Sequence, residues 1–141
     1  MFHKIIFVGN LGRDPEMRYM PDGQAVTNLN VACNRRWTSQ ATGEQAEETT
    51  WYRVSVWGKQ AEACNEYLEK GRQVLVEGRL RPDPATGGPR LWTRQDGSVG
   101  ASFEVVASSV QFLGNGNGNG GSYNDSDYTG SSAQDADDIP F

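Results

Sequence analysis

The sequence predicts an all-β fold, a five-stranded barrel with one short helix after the third strand, followed by a disordered acidic C-terminal tail. Three observations predict it. Segments of period-two apolar alternation recur along residues 1–113. Helical spacing is confined to residues 59–70. From Gly114 onward Gly, Asn, Ser and Asp dominate, a composition that cannot offset its own chain entropy by burial. Residues 1–113 are therefore expected to form one domain, near the common size for a single core, and residues 114–141 a separate tail.

Ile5, Ile6, Phe7 and Val8 form an apolar run too short for an ordinary helix and flanked by Gly9 and Gly12. It reads as a strand buried on both faces, one against the core and one against another subunit. Pro21, Asp22 and Gly23 supply a turn, after which Ala25, Thr27, Leu29, Val31 and Cys33 alternate with Asn28, Asn30 and Asn34 in a half-buried second strand. Residues 38–49 are polar and aperiodic and contain Gly43, so a long surface loop is expected after Trp37. Over residues 50–57 alternation resumes, with Tyr52, Val54 and Val56 on one face and Trp51, Arg53, Ser55 and Trp57 on the other.

The helix at residues 59–70 carries Ala61, Cys64 and Leu68 on one stripe, has Glu66 four residues before Lys70, and stops at Gly71. Val74, Val76 and Leu80 then alternate with Glu77, Arg79 and Arg81 in a fourth strand, which Pro82, Pro84, Gly87, Gly88 and Pro89 break. Arg90, Trp92 and Arg94 recur at period two before the hairpin signal Asp96-Gly97, predicting a projecting β-ribbon. Residues 101–112 make the closing strand. Phe103 and Val105 are out of phase with Val110 and Phe112, so it needs a bulge or two-sided burial. Three strands, a helix and two strands is the order of an OB-fold, the partly open barrel often used to bind oligonucleotides. Other five-strand barrels share this pattern.

All 13 Lys and Arg and 13 of the 18 Asp and Glu lie in residues 1–113, so the formal charge of −5 resides in the tail. The acidic average therefore excludes no polyanionic partner for the domain. Neither a signal peptide nor a membrane span is expected, which places the chain in the cytoplasm with no membrane partner. Cys33 and Cys64 are far apart and lack a second pair; both read as small hydrophobes, and neither a zinc site nor a cofactor is implied.

The four tryptophans carry the chemistry. Large aromatics ordinarily fill cores, but Trp51 and Trp57 share a face with Arg53 and Ser55, opposite one that already supplies aliphatic groups to the interior. Trp37 follows Arg35 and Arg36, Trp92 stands between Arg90 and Arg94, and Lys59 follows Trp57 by two residues. Unpaired bases stack on indole at roughly 1–3 kcal/mol each while cations track the phosphates, so this interleaving reads as a single-strand surface. Arg18, Arg72, Arg79 and Arg81 are weaker candidates, since charge on a strand face is usually just solvated. In the tail, residues 137–141 (Asp137, Asp138, Ile139, Pro140 and Phe141) put an apolar tip and a carboxylate on a segment that cannot bury them, so the tip is expected to dock on another protein.

Other motifs fail on context. Gly116, Gly118 and Gly121 fit a dinucleotide fingerprint without a following helix. Asp125, Asp127, Thr129 and Gly130 open like a calcium loop whose twelfth position would be Ala136. Asn124, Asp125 and Ser126 form a glycosylation sequon that a cytosolic protein does not use, and His3 has no second histidine to join.

Val8-Gly9-Asn10-Leu11-Gly12-Arg13-Asp14-Pro15, Arg18-Tyr19-Met20-Pro21-Asp22-Gly23, Ala41-Thr42-Gly43-Glu44, Gly58-Lys59, Glu66-Tyr67-Leu68-Glu69-Lys70-Gly71, Val76-Glu77-Gly78-Arg79-Leu80 and the final Asp138-Ile139-Pro140-Phe141 occur in one order. Together they resemble the bacterial-type single-stranded DNA-binding protein family. The resemblance implies a non-enzymatic OB-fold homotetramer that wraps single-stranded DNA around its outside. It also implies that the acidic tip recruits replication, recombination and repair proteins at the nucleoid. By position, Trp37, Trp51, Trp57 and Trp92 resemble the family's base-stacking aromatics, and the first strand its subunit-pairing strand. Residues 82–89 look like an insertion. Two rivals stand beside this reading: an RNA-binding OB-fold chaperone, since nothing here reads a 2′-hydroxyl, and a small nuclease, which would need clustered carboxylates or histidines.

Overall fold

Each long strand sinks one row of apolar side chains into a shared interior, and the strands close around it. The structure, a computed structural model, describes residues 1–115. The elements are β1 (Ile5–Leu11), β2 (Glu16–Tyr19), β3 (Ala25–Thr38), β4 (Gln45–Trp57), α1 (Lys59–Tyr67), β5 (Arg72–Leu80), β6 (Arg90–Thr93) and β7 (Val99–Asn115). β1 pairs antiparallel with β5, β5 with β7 and β4 with β3; β7 runs parallel to β4 from Tyr52↔Phe103 to Ser55↔Val106. Pairing of Asn10 with Ala32 and of Leu11 with Val31 joins β1 to β3 and completes a closed five-strand barrel, an OB-fold.

Phe7, Leu11, Leu29, Val31, Val54, Val56, Val74, Val76 and Val105 fill the barrel. α1 covers one end with Ala61 and Cys64, joined by Leu68 just past its last turn, and the buried Thr27 hydroxyl donates to the Ala61 carbonyl at 2.6 Å. Desolvation pushes the Cys64 thiol up to about 11, so it acts as a small apolar group, whereas Cys33 is half-buried. The bulge demanded by the phase change in the closing strand lies at Ser108: Gly78 opposes Ala107 while Glu77 opposes Ser109. The hydroxyl of Ser108 donates to the Glu77 carbonyl at 3.0 Å.

Several expectations need correction. The loop expected over residues 38–49 shrinks to residues 39–44, because β3 and β4 continue outward as a ribbon held by polar cross-strand pairs that carry no apolar period. One such pair is Thr49 Oγ1 donating to Asn34 Oδ1 at 2.7 Å. β2 was not foreseen; it is a short edge strand on β3, mostly exposed and without alternation. α1 ends at Tyr67, so Glu66 and Lys70 form no helical pair; the Lys70 amide instead donates to Asp14 Oδ1 at 2.8 Å. Leu80 is exposed at the barrel mouth rather than inside. Within the chain β1 is buried on one face only, with Ile6 59 % exposed on the other. His3 is exposed, its Nε2 accepting from the Leu80 amide at 3.1 Å. The glycine, calcium-like and sequon motifs beyond Asn115, and the tip at residues 137–141, lie outside the described residues.

Gly78 shows how tightly β5 and β7 meet, since a Cβ there would lie 2.2 Å from the Val106 carbonyl oxygen. Gly78→Ala should therefore cost about 1–3 kcal/mol of stability through forced strand separation, read as a lowered urea midpoint.

Candidate nucleic-acid interface

With Val54 and Val56 inside, β4 presents Trp51, Arg53, Ser55 and Trp57 outward, in register with Ala32, Asn30, Asn28 and Val26 of β3. Trp51 is 54 % exposed and Trp57 half-buried. The two indoles are six positions apart, roughly 20 Å along a strand.

Trp92 comes from the β6–β7 ribbon. That ribbon turns as Asp96-Gly97 predicts, with Gly97 at φ 87° and the Arg94 amide donating to the Ser98 carbonyl at 2.7 Å. Hydrogen bonds from the Ser98 hydroxyl and amide hold the Asp96 carboxyl below its ordinary pKa. The Trp92 ring lies over Gly100 and the Trp51 ring over Gly12, where an added Cβ would stand 2.5 Å from each. A groove of about 240 Å³ opens between the two indoles, floored by Asn30, Arg53, Ala101 and Ser102 and flanked by Arg13. Arg13 donates to the Asn30 side-chain oxygen in the amide orientation that satisfies both groups. The Ser102 hydroxyl is buried there without a hydrogen-bond partner. The groove is thus walled by aromatic faces and floored by polar groups that a base edge can meet.

The remaining candidates are dispersed. Trp37, 38 % exposed, stands on the β3–β4 ribbon with the Arg35 guanidinium 5.0 Å from its ring centre. In the ladder register Trp37 pairs with Ala46 and Ala32 with Trp51, which puts the Trp37 and Trp51 rings on opposite faces of the ribbon. A strand touching both must pass around the ribbon edge. Arg94 stacks 4.6 Å from the Trp92 ring centre and also donates to Ser98 and Val99. Lys59 begins α1, near Trp57. Arg35, Arg36 and Arg90 face Glu48, Glu47 and Glu104, whereas Arg53 and Lys59 make no ion pair among the described residues. Arg13, Asn30 and Ser102 went unforeseen; they carry no aromatic or cationic pattern, and only the folded chain brings them to one groove. Among the described residues no group of three or more His, Cys, Asp or Glu is placed to hold a metal ion.

Residues 2–113 match the model of the Single-strand binding protein family. The chain belongs to that family. Among solved structures, a Plasmodium falciparum SSB in complex with ssDNA is similar at 26 % identity and a TM-score of 0.65, covering 80 % of this chain and 96 % of that one. A deletion mutant of the single-stranded DNA binding protein from Thermus aquaticus is similar at 32 % identity and a TM-score of 0.59. That match covers 78 % of this chain and 49 % of the other, so the chain spans about half of that protein.

Because only the far edge of the Trp51 ring meets the added methyl, Gly12→Ala should displace the indole while changing stability by less than about 1 kcal/mol. An altered near-UV circular dichroism spectrum with a nearly constant urea midpoint is the expected result.

Proposed function

We propose that this protein is a non-enzymatic single-strand binding protein that coats single-stranded DNA without strong sequence preference, holding bases on its indoles and phosphates on its free cations. The observation that carries the reading is the groove between Trp51 and Trp92, open to solvent and floored by Arg53 and Ser102. Every base has a π-face, so stacking is indifferent to sequence, and it withstands salt better than phosphate contacts do. Trp57 with Lys59 extends the same chemistry along β4, and Trp37 adds a stacking face on the ribbon. Family membership supports the ligand class.

The rest of the reading concerns context. Exposed single strands arise in replication, recombination and repair, which is where such a coat acts, in the cytoplasm at the nucleoid. Ile6, exposed on β1, and the neighbouring Val8 offer an apolar strip for subunit pairing within a homotetramer. The tip formed by Asp137, Asp138, Ile139, Pro140 and Phe141 offers an aromatic anchor and negative charge to partner proteins, with Pro140 limiting the entropy lost on docking.

Two outcomes test this. Trp51→Ala and Trp92→Ala should each weaken binding to oligo(dT) by about 1–3 kcal/mol, measured as fluorescence-anisotropy isotherms at fixed salt; unchanged affinity in both variants would refute the stacking role. Deleting Ile139, Pro140 and Phe141 should leave oligo(dT) affinity intact and abolish co-purification of replication and repair proteins. Retained co-purification would refute the role of the tip.

A further inference from the structure

Two ribbons project from the barrel, and most of their arginines face carboxylates on the neighbouring strand. On the β3–β4 ribbon, Arg35 Nη1 lies 3.4 Å from Glu48 Oε1 and Arg36 Nε lies 3.6 Å from Glu47 Oε1. These pairs are consecutive in the ladder, so they occupy opposite faces and neither face presents uncompensated positive charge. Residues 34–49 hold two arginines against three glutamates, a formal charge of −1. On the β6–β7 ribbon, Arg90 Nη1 lies 3.4 Å from Glu104, whose side chain is only 14 % exposed and therefore poorly screened. Asp96 balances Arg94, so residues 90–104 also hold as many acids as arginines. Arg53 and Lys59, beside the indoles of the barrel wall, are among the cations that make no ion pair in the described residues.

This distribution bears on strandedness. The major groove of duplex DNA admits a two-stranded β-ribbon, and phosphate contacts alone would hold an arginine-bearing ribbon there. A duplex offers phosphates while keeping its bases stacked on one another; a single strand offers phosphates and bare π-faces. Neutralising the ribbons removes most of what attracts a duplex and only part of what attracts a single strand.

We propose that Glu47, Glu48 and Glu104 are selectivity residues: by offsetting Arg35, Arg36 and Arg90 on the projecting ribbons, they disfavour duplex DNA and leave single strands to be held by stacking. The inference rests on the single-strand reading above. A phosphate approaching Arg35 or Arg36 meets a carboxylate well within a Debye length, and that repulsion has no stacking term to offset it when the ligand is a duplex.

The test uses the full chain carrying Glu47→Gln and Glu48→Gln, both on exposed side chains whose change leaves the core untouched. Labelled oligo(dT) and a duplex of equal length are titrated by anisotropy across a salt series. Duplex affinity should rise about two- to thirtyfold, with the duplex log–log salt slope steeper by about 2. Oligo(dT) affinity should gain less, so the single-strand preference falls. Glu104→Gln, which frees Arg90 of the other ribbon, should steepen the duplex slope by about 1. Unchanged duplex affinity and slope in both variants would overturn the proposal, as would equal gains for the two ligands. Wild-type protein that failed to bind oligo(dT) would overturn the parent reading, and this inference with it.

Discussion

Sinking Val54 and Val56 into the barrel decides which groups along β4 meet water. Side chains of a strand alternate, so that commitment sends Trp51, Arg53, Ser55 and Trp57 outward as a set. A one-residue slip against β3 would reverse every one of them, exposing two valines and burying an arginine without a partner, at a cost of several kcal/mol for the charge alone. Tyr52 marks the boundary. Its ring stacks on Phe7 with centroids 4.1 Å apart, and burial, with Cys33 adding, pushes its phenol above the ordinary value. The indole-bearing wall is thus the obligatory outer face of a core strand, which gives its indoles a rigid backing that a loop would not supply.

The second indole depends on topology. β7 runs parallel to β4 from Phe103 to Val106, while its earlier residues, from Val99 to Ser102, pair with β6. One continuous strand therefore closes the barrel and carries Trp92 toward Trp51. Gly12 and Gly100 complete the arrangement by leaving room for each ring to lie flat against backbone. The parallel contact between residues 51 apart in sequence, rather than any local motif, creates the groove.

That distinction explains how much could be read from the chain. The alternation of Val54 with Trp51 and Arg53, the stripe of Ala61, Cys64 and Leu68, the turn at Asp96 and Gly97 and the phase change before Val110 are local signals of apolar period or turn chemistry, and each found its place. The outer half of the β3–β4 ribbon lacked such a signal, because Asn34 with Thr49 and Arg36 with Glu47 hold it by polar pairing. β2 has neither period nor burial to announce it. The opposed faces of Trp37 and Trp51 follow from a register that only the pairing of β3 with β4 reveals. Arg13, Asn30 and Ser102 meet in space from three strands or strand ends, and no window of sequence contains them.

A domain whose lysines and arginines are matched by its acids is an unusual receptor for a polyanion unless charge is not the main attraction. Several stacked bases, each contributing about as much as a good hydrogen bond to a charged group, supply affinity that counterions do not erode. On the proposed reading a cation is needed chiefly where a phosphate would pass an indole, and Arg53 and Lys59, which make no ion pair among the described residues, lie there. Charge placed anywhere else would add affinity for every nucleic acid alike, and the carboxylates opposite Arg35, Arg36 and Arg90 stand where that indiscriminate term would otherwise arise.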